Sequence, residues 1–226
     1  AGDVLVDRES GRIESDSLIR FSGHGVDIQG SVINTTATSN VNDFEVLIDV
    51  AGPVSVSGDI QMAGSIKIAS DTSIDIFSGE VESAYDGQRI VLESGGSITL
   101  GSEATADADG PVPENQRYET GGTLRAANSV EMNAEGLVTV RSAARVMTFE
   151  DGSSVDITAG SMSLIGTIYG GANTDENNAA VRQGIDADVT LTVTDTMAIG
   201  GTGINGDGAD ESLGGAILAS GDINLV

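Results

Sequence analysis

Val54-Ser55-Val56, Ile60-Gln61-Met62, Ile66-Lys67-Ile68 and Ile74-Asp75-Ile76 follow one another at steps of six to eight residues. Each unit sets two apolar side chains around a polar one, and small or turn-forming residues such as Ser57-Gly58-Asp59 and Ala63-Gly64-Ser65 fill the intervals. Alternation with period two puts both apolar side chains on one face of a short strand and the middle residue on the other. The beat continues outward from this stretch in Ile90/Leu92, Ile98/Leu100, Val130/Met132, Val138/Val140, Val155/Ile157, Met162/Leu164, Val189/Leu191/Val193, Met197/Ile199 and Ile223/Leu225. A unit that returns this regularly predicts a stacked repeat.

The spacing predicts an all-β chain folded as a right-handed parallel β-helix, with three short strands per coil of about 20–25 residues and a triangular section. The hand is taken from the rule for parallel crossovers. A β-sandwich is the alternative, but its longer strands, aromatics and prolines are scarce here: the chain has three prolines and 3% aromatic residues. Residues 1–226 read as a single array, expected to be a segment of a longer protein or a stacking subunit because the beat reaches both ends without a cap. Loop excursions interrupt it near 34–43, 101–122, 170–188 and 200–215, where Gly, Asn and Asp replace the alternation.

Thirty-five acidic residues against ten basic ones give a formal charge of −25, and Lys67 is the only lysine. Nucleic acid and anionic membrane surfaces are excluded as partners, because phosphate recognition needs clustered Lys and Arg. No cysteine is present, so neither disulfides nor thiolate metal sites hold the fold. No apolar run reaches the roughly 20 residues of a membrane-spanning helix.

Gly58 to Ser70, Ser94 to Ser102 and Asn128 to Ser142 resemble the degenerate repeats of filamentous-haemagglutinin-type adhesins, a family of large secreted bacterial β-helical proteins. The resemblance implies an extracellular or cell-surface fibre, exported by a two-partner or autotransporter route. The secretion domain that opens such proteins is not recognisable in this sequence.

Calcium is the cofactor with sequence support. Gly200-Gly201-Thr202-Gly203-Ile204-Asn205 begins like a calcium-binding β-roll repeat, but Asp207 stands where an apolar residue belongs. Asp107-Ala108-Asp109-Gly110 matches the middle of an EF-hand loop, whose twelfth position would be Gln116 rather than the bidentate Glu. Looser oxygen sites built from Asp107, Asp109 and Glu114, or from Asp207 and Asp210, are the candidate metal ligands. No catalytic residues are assigned. Glu80/Glu82 and Asp186/Asp188 have spacing compatible with acid–base work, yet the aromatic platforms and basic residues of a sugar cleft are missing from the composition. His24 reads as a turn histidine, and Arg141 and Arg145 as partners of neighbouring carboxylates.

The functional expectation is a rigid extracellular spacer whose loops adhere to a cell surface or a glycan. The alternatives are a filament or surface-layer subunit that stacks on itself head to tail, and a polysaccharide-active enzyme.

Overall fold

A computed structural model describes residues 2–34, 44–105, 117–172, 185–204, 210–213 and 215–226. Among the described residues there is no helix, and strand pairing is parallel throughout the two large sheets.

The smaller sheet has eight strands in the order β2 (Arg12–Glu14), β5 (Ser31–Asn34), β8 (Asp59–Met62), β11 (Glu80–Ser83), β16 (Thr123–Ala126), β18 (Arg145–Thr148), β20 (Thr167–Gly170) and β24 (Ala216–Ala219). The larger sheet has thirteen strands. One arm is β1 (Val4–Val6), β4 (Val26–Ile28), β7 (Val54–Val56), β10 (Ser73–Ile76) and β13 (Ser97–Leu100); the other is β3 (Ile19–Gly23), β6 (Phe44–Val50), β9 (Ser65–Ser70) and β12 (Arg89–Ser94). Both arms end on β17 (Ser129–Val140), beyond which come β19 (Ser154–Leu164), β21 (Asp188–Ile199) and β25 (Ile223–Leu225).

The repeated apolar pairs become the core. Val54, Ile74, Ile98, Val138 and Met162 occupy one row of successive register partners, all buried, while the polar residues between such pairs are more exposed. Burying an Ile or Leu side chain is worth about 1.5–3 kcal/mol. The rows form a single cluster that runs from Val6 to Leu191 and is filled by aliphatic side chains. Glycine is forced where the backbone of one strand connection rests on the next: a Cβ on Gly79 would lie 1.6 Å from the Gly58 carbonyl oxygen, and one on Gly58 would lie 1.9 Å from that of Gly30.

The triangular β-helix with three short strands per coil is corrected by this arrangement. The strands form two sheets, because β17, β19 and β21 run unbroken for 12, 11 and 12 residues and fuse two would-be faces into one folded-back sheet. Together the two sheets make a nearly closed wall of parallel strands around the core. The expectation failed at strand ends. Period-two patterning fixes which side chains face inward, but it does not tell a turn from a bulge. The register shifts between Ala134 and Leu137 and between Ala159 and Ser161 show that the chain bulges there and keeps pairing.

Two of the expected loop excursions contain antiparallel hairpin arms. Ser102–Thr105 pairs with Arg117–Thr120 as β14 and β15, and Gly201–Ile204 pairs with Asp210–Leu213 as β22 and β23. Residues 35–43 and 173–184, which hold most of the other two excursions, lie outside the described residues.

Candidate functional site

The thirteen-stranded sheet folds back along a bend, and the bend carries a groove of about 700 Å³. Asp49, Asp71, Glu93 and Glu135 line it together with Ser70, Ser94, Asn133, Thr158 and Thr194. These residues come from β6, β9, β12, β17, β19 and β21 or the connections that follow them, so the groove crosses six neighbouring strands. At about 4.8 Å per strand it extends for roughly 24 Å.

Sequence chemistry makes the bend. Ser70 and Ser94 are buried register partners. The Ser70 hydroxyl donates to the Gly52 carbonyl at 2.8 Å and accepts from the Thr72 amide at 3.1 Å. The Ser94 hydroxyl lies 3.2 Å from the Thr72 carbonyl and 3.0 Å from that of Ser97, and accepts from the Gly96 amide at 3.1 Å. Each serine thus satisfies the backbone of a turn that leaves the strand. A Cβ on Gly96 would meet the Thr72 carbonyl oxygen at 2.1 Å, so the turn there admits no side chain.

The groove's outer wall is acidic. Asp49, Asp71 and Glu135 are exposed, whereas Glu93 is half-buried and pairs with Lys67 at 2.7 Å. Two other basic side chains are engaged away from the groove: Arg125 pairs with Glu82 at 2.7 Å and stacks over Phe149, and Arg89 lies 3.4 Å from Glu131 and over Phe44. A second groove, of about 770 Å³, opens where β4, β7 and β10 hand over to β5, β8 and β11, with Arg8, Asp59 and Phe77 in its lining.

On the opposite seam, where the eight-stranded sheet hands back to the larger one, carboxylates accept backbone amides from neighbouring connections. The Gly87 amide donates to Glu150 Oε2 at 3.1 Å, the Asp186 amide to Asp151 Oδ1 at 2.8 Å and the Asp222 amide to Asp188 Oδ1 at 2.7 Å. Gly87 and Gly152 adopt φ of 76° and 73°, the left-handed region that glycine supplies without strain. Partial burial pushes the Glu150 carboxyl above its ordinary range, and the neighbouring Asp86 carboxyl adds to the rise against the opposing Gly87 hydrogen bond. Sequence spacing gave no sign of this pair.

Of the acid pairs singled out from the sequence, Glu80/Glu82 lies on β11 and Asp186/Asp188 lies where the chain enters β21. Glu82 is tied to Arg125, and the Glu80 amide donates to Asp59 Oδ1 at 3.2 Å. Asp186 joins the seam just described through its backbone amide and Asp188 through its carboxylate, and the Oδ1 atoms of both lie over Gly221. His24 sits in a turn, 3.5 Å from Asp3. No ion pair to Arg141 or Arg145 occurs among the described residues, so their expected carboxylate partners are not found there. Of the calcium candidates, Asp107, Asp109, Glu114 and Asp207 lie outside the described residues, and Asp210 opens β23 opposite Ile204. Among the described residues, no three His, Cys, Asp or Glu side chains converge as a metal-ligand set.

The chain matches no family model, no curated protein and no solved structure. The resemblance to filamentous-haemagglutinin-type adhesins is therefore corrected, since the folded-back two-sheet wall also differs from the open-runged architecture that the resemblance implied. The rigid surface spacer, the glycan- or cell-adhesive fibre, the head-to-tail subunit and the polysaccharide enzyme all presupposed that triangular rod, and none is carried forward. No helix among the described residues is long and apolar enough to cross a membrane.

Proposed function

We propose that this chain is a non-catalytic binding domain that holds an extended cationic ligand along the groove at the bend. The observation that carries the reading is the row of carboxylates from Asp49 to Glu135, spread over neighbouring strands along one concave surface. Three of them are exposed, and Lys67 neutralises only Glu93. Carboxylates gathered around one point would suit a chelated ion; a row suits a chain of separated positive charges, such as a linear polyamine or a lysine-rich peptide. The overall charge of −25 adds long-range attraction and speeds encounter with such a ligand.

The engagement of the Glu82 and Asp188 carboxylates in structural bonds supports the non-catalytic part of the proposal. We place the domain outside the cell, where an acidic, strongly hydrated surface suits saline surroundings. Calcium is proposed for the carboxylates of the 101–122 and 200–215 excursions, Asp107, Asp109, Asp207 and Asp210, on sequence grounds. Slower proteolysis of those two segments in calcium than in magnesium is the expected sign of it.

Fluorescence anisotropy of labelled decalysine titrated with the full chain tests the main reading. The expected result is saturable binding that weakens steeply with added salt, because exposed charges are screened over about 8 Å at physiological ionic strength. Absence of saturable binding at low salt removes the proposal.

A further inference from the structure

The seam that joins β8 to β9 and β11 to β12 buries an unusual set of polar side chains. Ser65 is fully buried and Gln88 is 3% exposed, and the Ser65 hydroxyl donates to Gln88 Oε1 at 2.7 Å. Glu45 is 1% exposed and is the only charged side chain buried to that degree among the described residues. It sits in the bulge where the register between β6 and β9 shifts, between Phe44, opposite Ser65, and Val46, opposite Ile66. Its carboxyl lies over Gly64, the residue before Ser65: a Cβ there would fall 2.2 Å from Glu45 Cδ, so glycine is needed to admit the carboxylate. A hydroxyl and a carboxamide are thereby in contact away from water, with a buried carboxylate over the adjoining residue.

We propose that Ser65 and Gln88 form an intramolecular ester, a covalent tie between β9 and the start of β12. The hydrogen bond sets Ser65 Oγ 2.7 Å from Gln88 Oε1, on the carboxamide it would attack, and the reaction requires the hydroxyl to turn from Oε1 toward the face of Cδ. Ser65 Oγ adds to Gln88 Cδ, the Cδ–Nε2 bond breaks, and ammonia leaves. Glu45 takes the proton from the hydroxyl and returns it to the departing nitrogen, so the carboxylate is regenerated and no oxidant or second reactant enters. The Arg89 amide, which donates to Ser65 Oγ at 3.1 Å, fixes the oxygen on the carboxamide. Exclusion of water protects the product, since hydrolysis is the reaction that would open it.

Intact-mass measurement of the purified full chain tests the tie. The expected mass is the sequence mass less one ammonia, and trypsin is expected to release residues 21–67 joined to residues 68–89. Ser65→Ala and Gln88→Ala should each restore the full mass, and hydroxylamine should separate the linked peptides. Glu45→Gln should slow formation of the tie or abolish it. A wild-type chain at full sequence mass overturns the proposal, as does an ammonia loss that persists in Ser65→Ala. If the substituted chains do not fold, the wild-type peptide map decides alone: unlinked 21–67 and 68–89 overturn the tie. Complete linkage in Glu45→Gln overturns the role given to Glu45.

Discussion

The stretch from Val54 to Leu100 and the stretch from Ser129 to Ile199 turn the same corner in different ways. In the first, β9 and β12 stop after six residues, and a two-residue connection leads into β10 or β13. In the second, β17, β19 and β21 pass through the corner as single strands. The residue at the corner differs in step. Register partners run Ser70, Ser94, Ala134, Ala159, so the hydroxyl is present where the strand stops and absent where it continues. The amides behave accordingly: Gly96 donates to the Ser94 hydroxyl, whereas Gly136 donates to the main-chain carbonyl of Gly96. On these rungs the hydroxyl accompanies the turn and the bulge keeps its pairing without one, while Val50 and Gly23, in the same row, end β6 and β3 with no hydroxyl.

The largest effect that separates the two corners is steric. A Cβ at Gly96 would meet the Thr72 carbonyl oxygen at 2.1 Å, but one at Gly136 would lie 2.8 Å from that of Gly96. Gly96→Ala is expected to cost about 3 kcal/mol in urea unfolding, and Gly136→Ala about 1 kcal/mol. Equal losses would break the distinction between a closed turn and a yielding bulge.

Next in size is the hydroxyl itself. Ser94→Ala leaves the buried backbone around Gly96 without its partner and should cost about 1–3 kcal/mol. Ala134→Ser, which adds a hydroxyl where the main chain already satisfies itself, should not raise stability. A stabilising Ala134→Ser would show that the hydroxyl, rather than the geometry, limits the second corner.

The smallest expected effect lies on the opposite seam and depends on pH. Glu150 has a folded pKa above its ordinary value of 4.5, so the folded chain holds its proton more tightly than the unfolded chain does. Its contribution is fully favourable below 4.5 and is lost as the pH rises through the folded value. Glu150→Gln keeps an acceptor for the Gly87 amide and removes the charge beside Asp86. It should therefore be the more stable chain at pH 7, with the difference closing as the pH falls below 4.5. A stability gap that does not change with pH would assign the effect to packing.

Much of the interior was legible in the sequence. The apolar pairs from Val54/Val56 to Ile74/Ile76 are all buried, because alternation is a direct consequence of strand geometry. The grouping of strands was not legible. Ala134-Glu135-Gly136 and Ser94-Gly95-Gly96 both look like turns, and their difference depends on which backbone groups the neighbouring strand already satisfies. The groove was hidden for a related reason. Asp49, Asp71, Glu93 and Glu135 are scattered along the chain and meet through register, which a scan for compact acidic motifs does not detect. Compact acidic motifs pointed to Asp107-Ala108-Asp109 and Asp207 instead, which lie outside the described residues.

The bend matters for function only if its carboxylates act by position and not merely as part of the −25 charge. Two chains of identical net charge separate these ideas: Asp71→Asn with Glu135→Gln in the groove, and Glu9→Gln with Asp16→Asn on exposed surface elsewhere. Labelled decalysine titrated into each at the same ionic strength is the direct test. The predicted result is a several-fold loss of affinity for the groove chain, from about 1 kcal/mol of lost ion pairing, with near wild-type binding for the other. Equal loss in both would mean that the ligand reads overall charge, and the groove would not be the binding site.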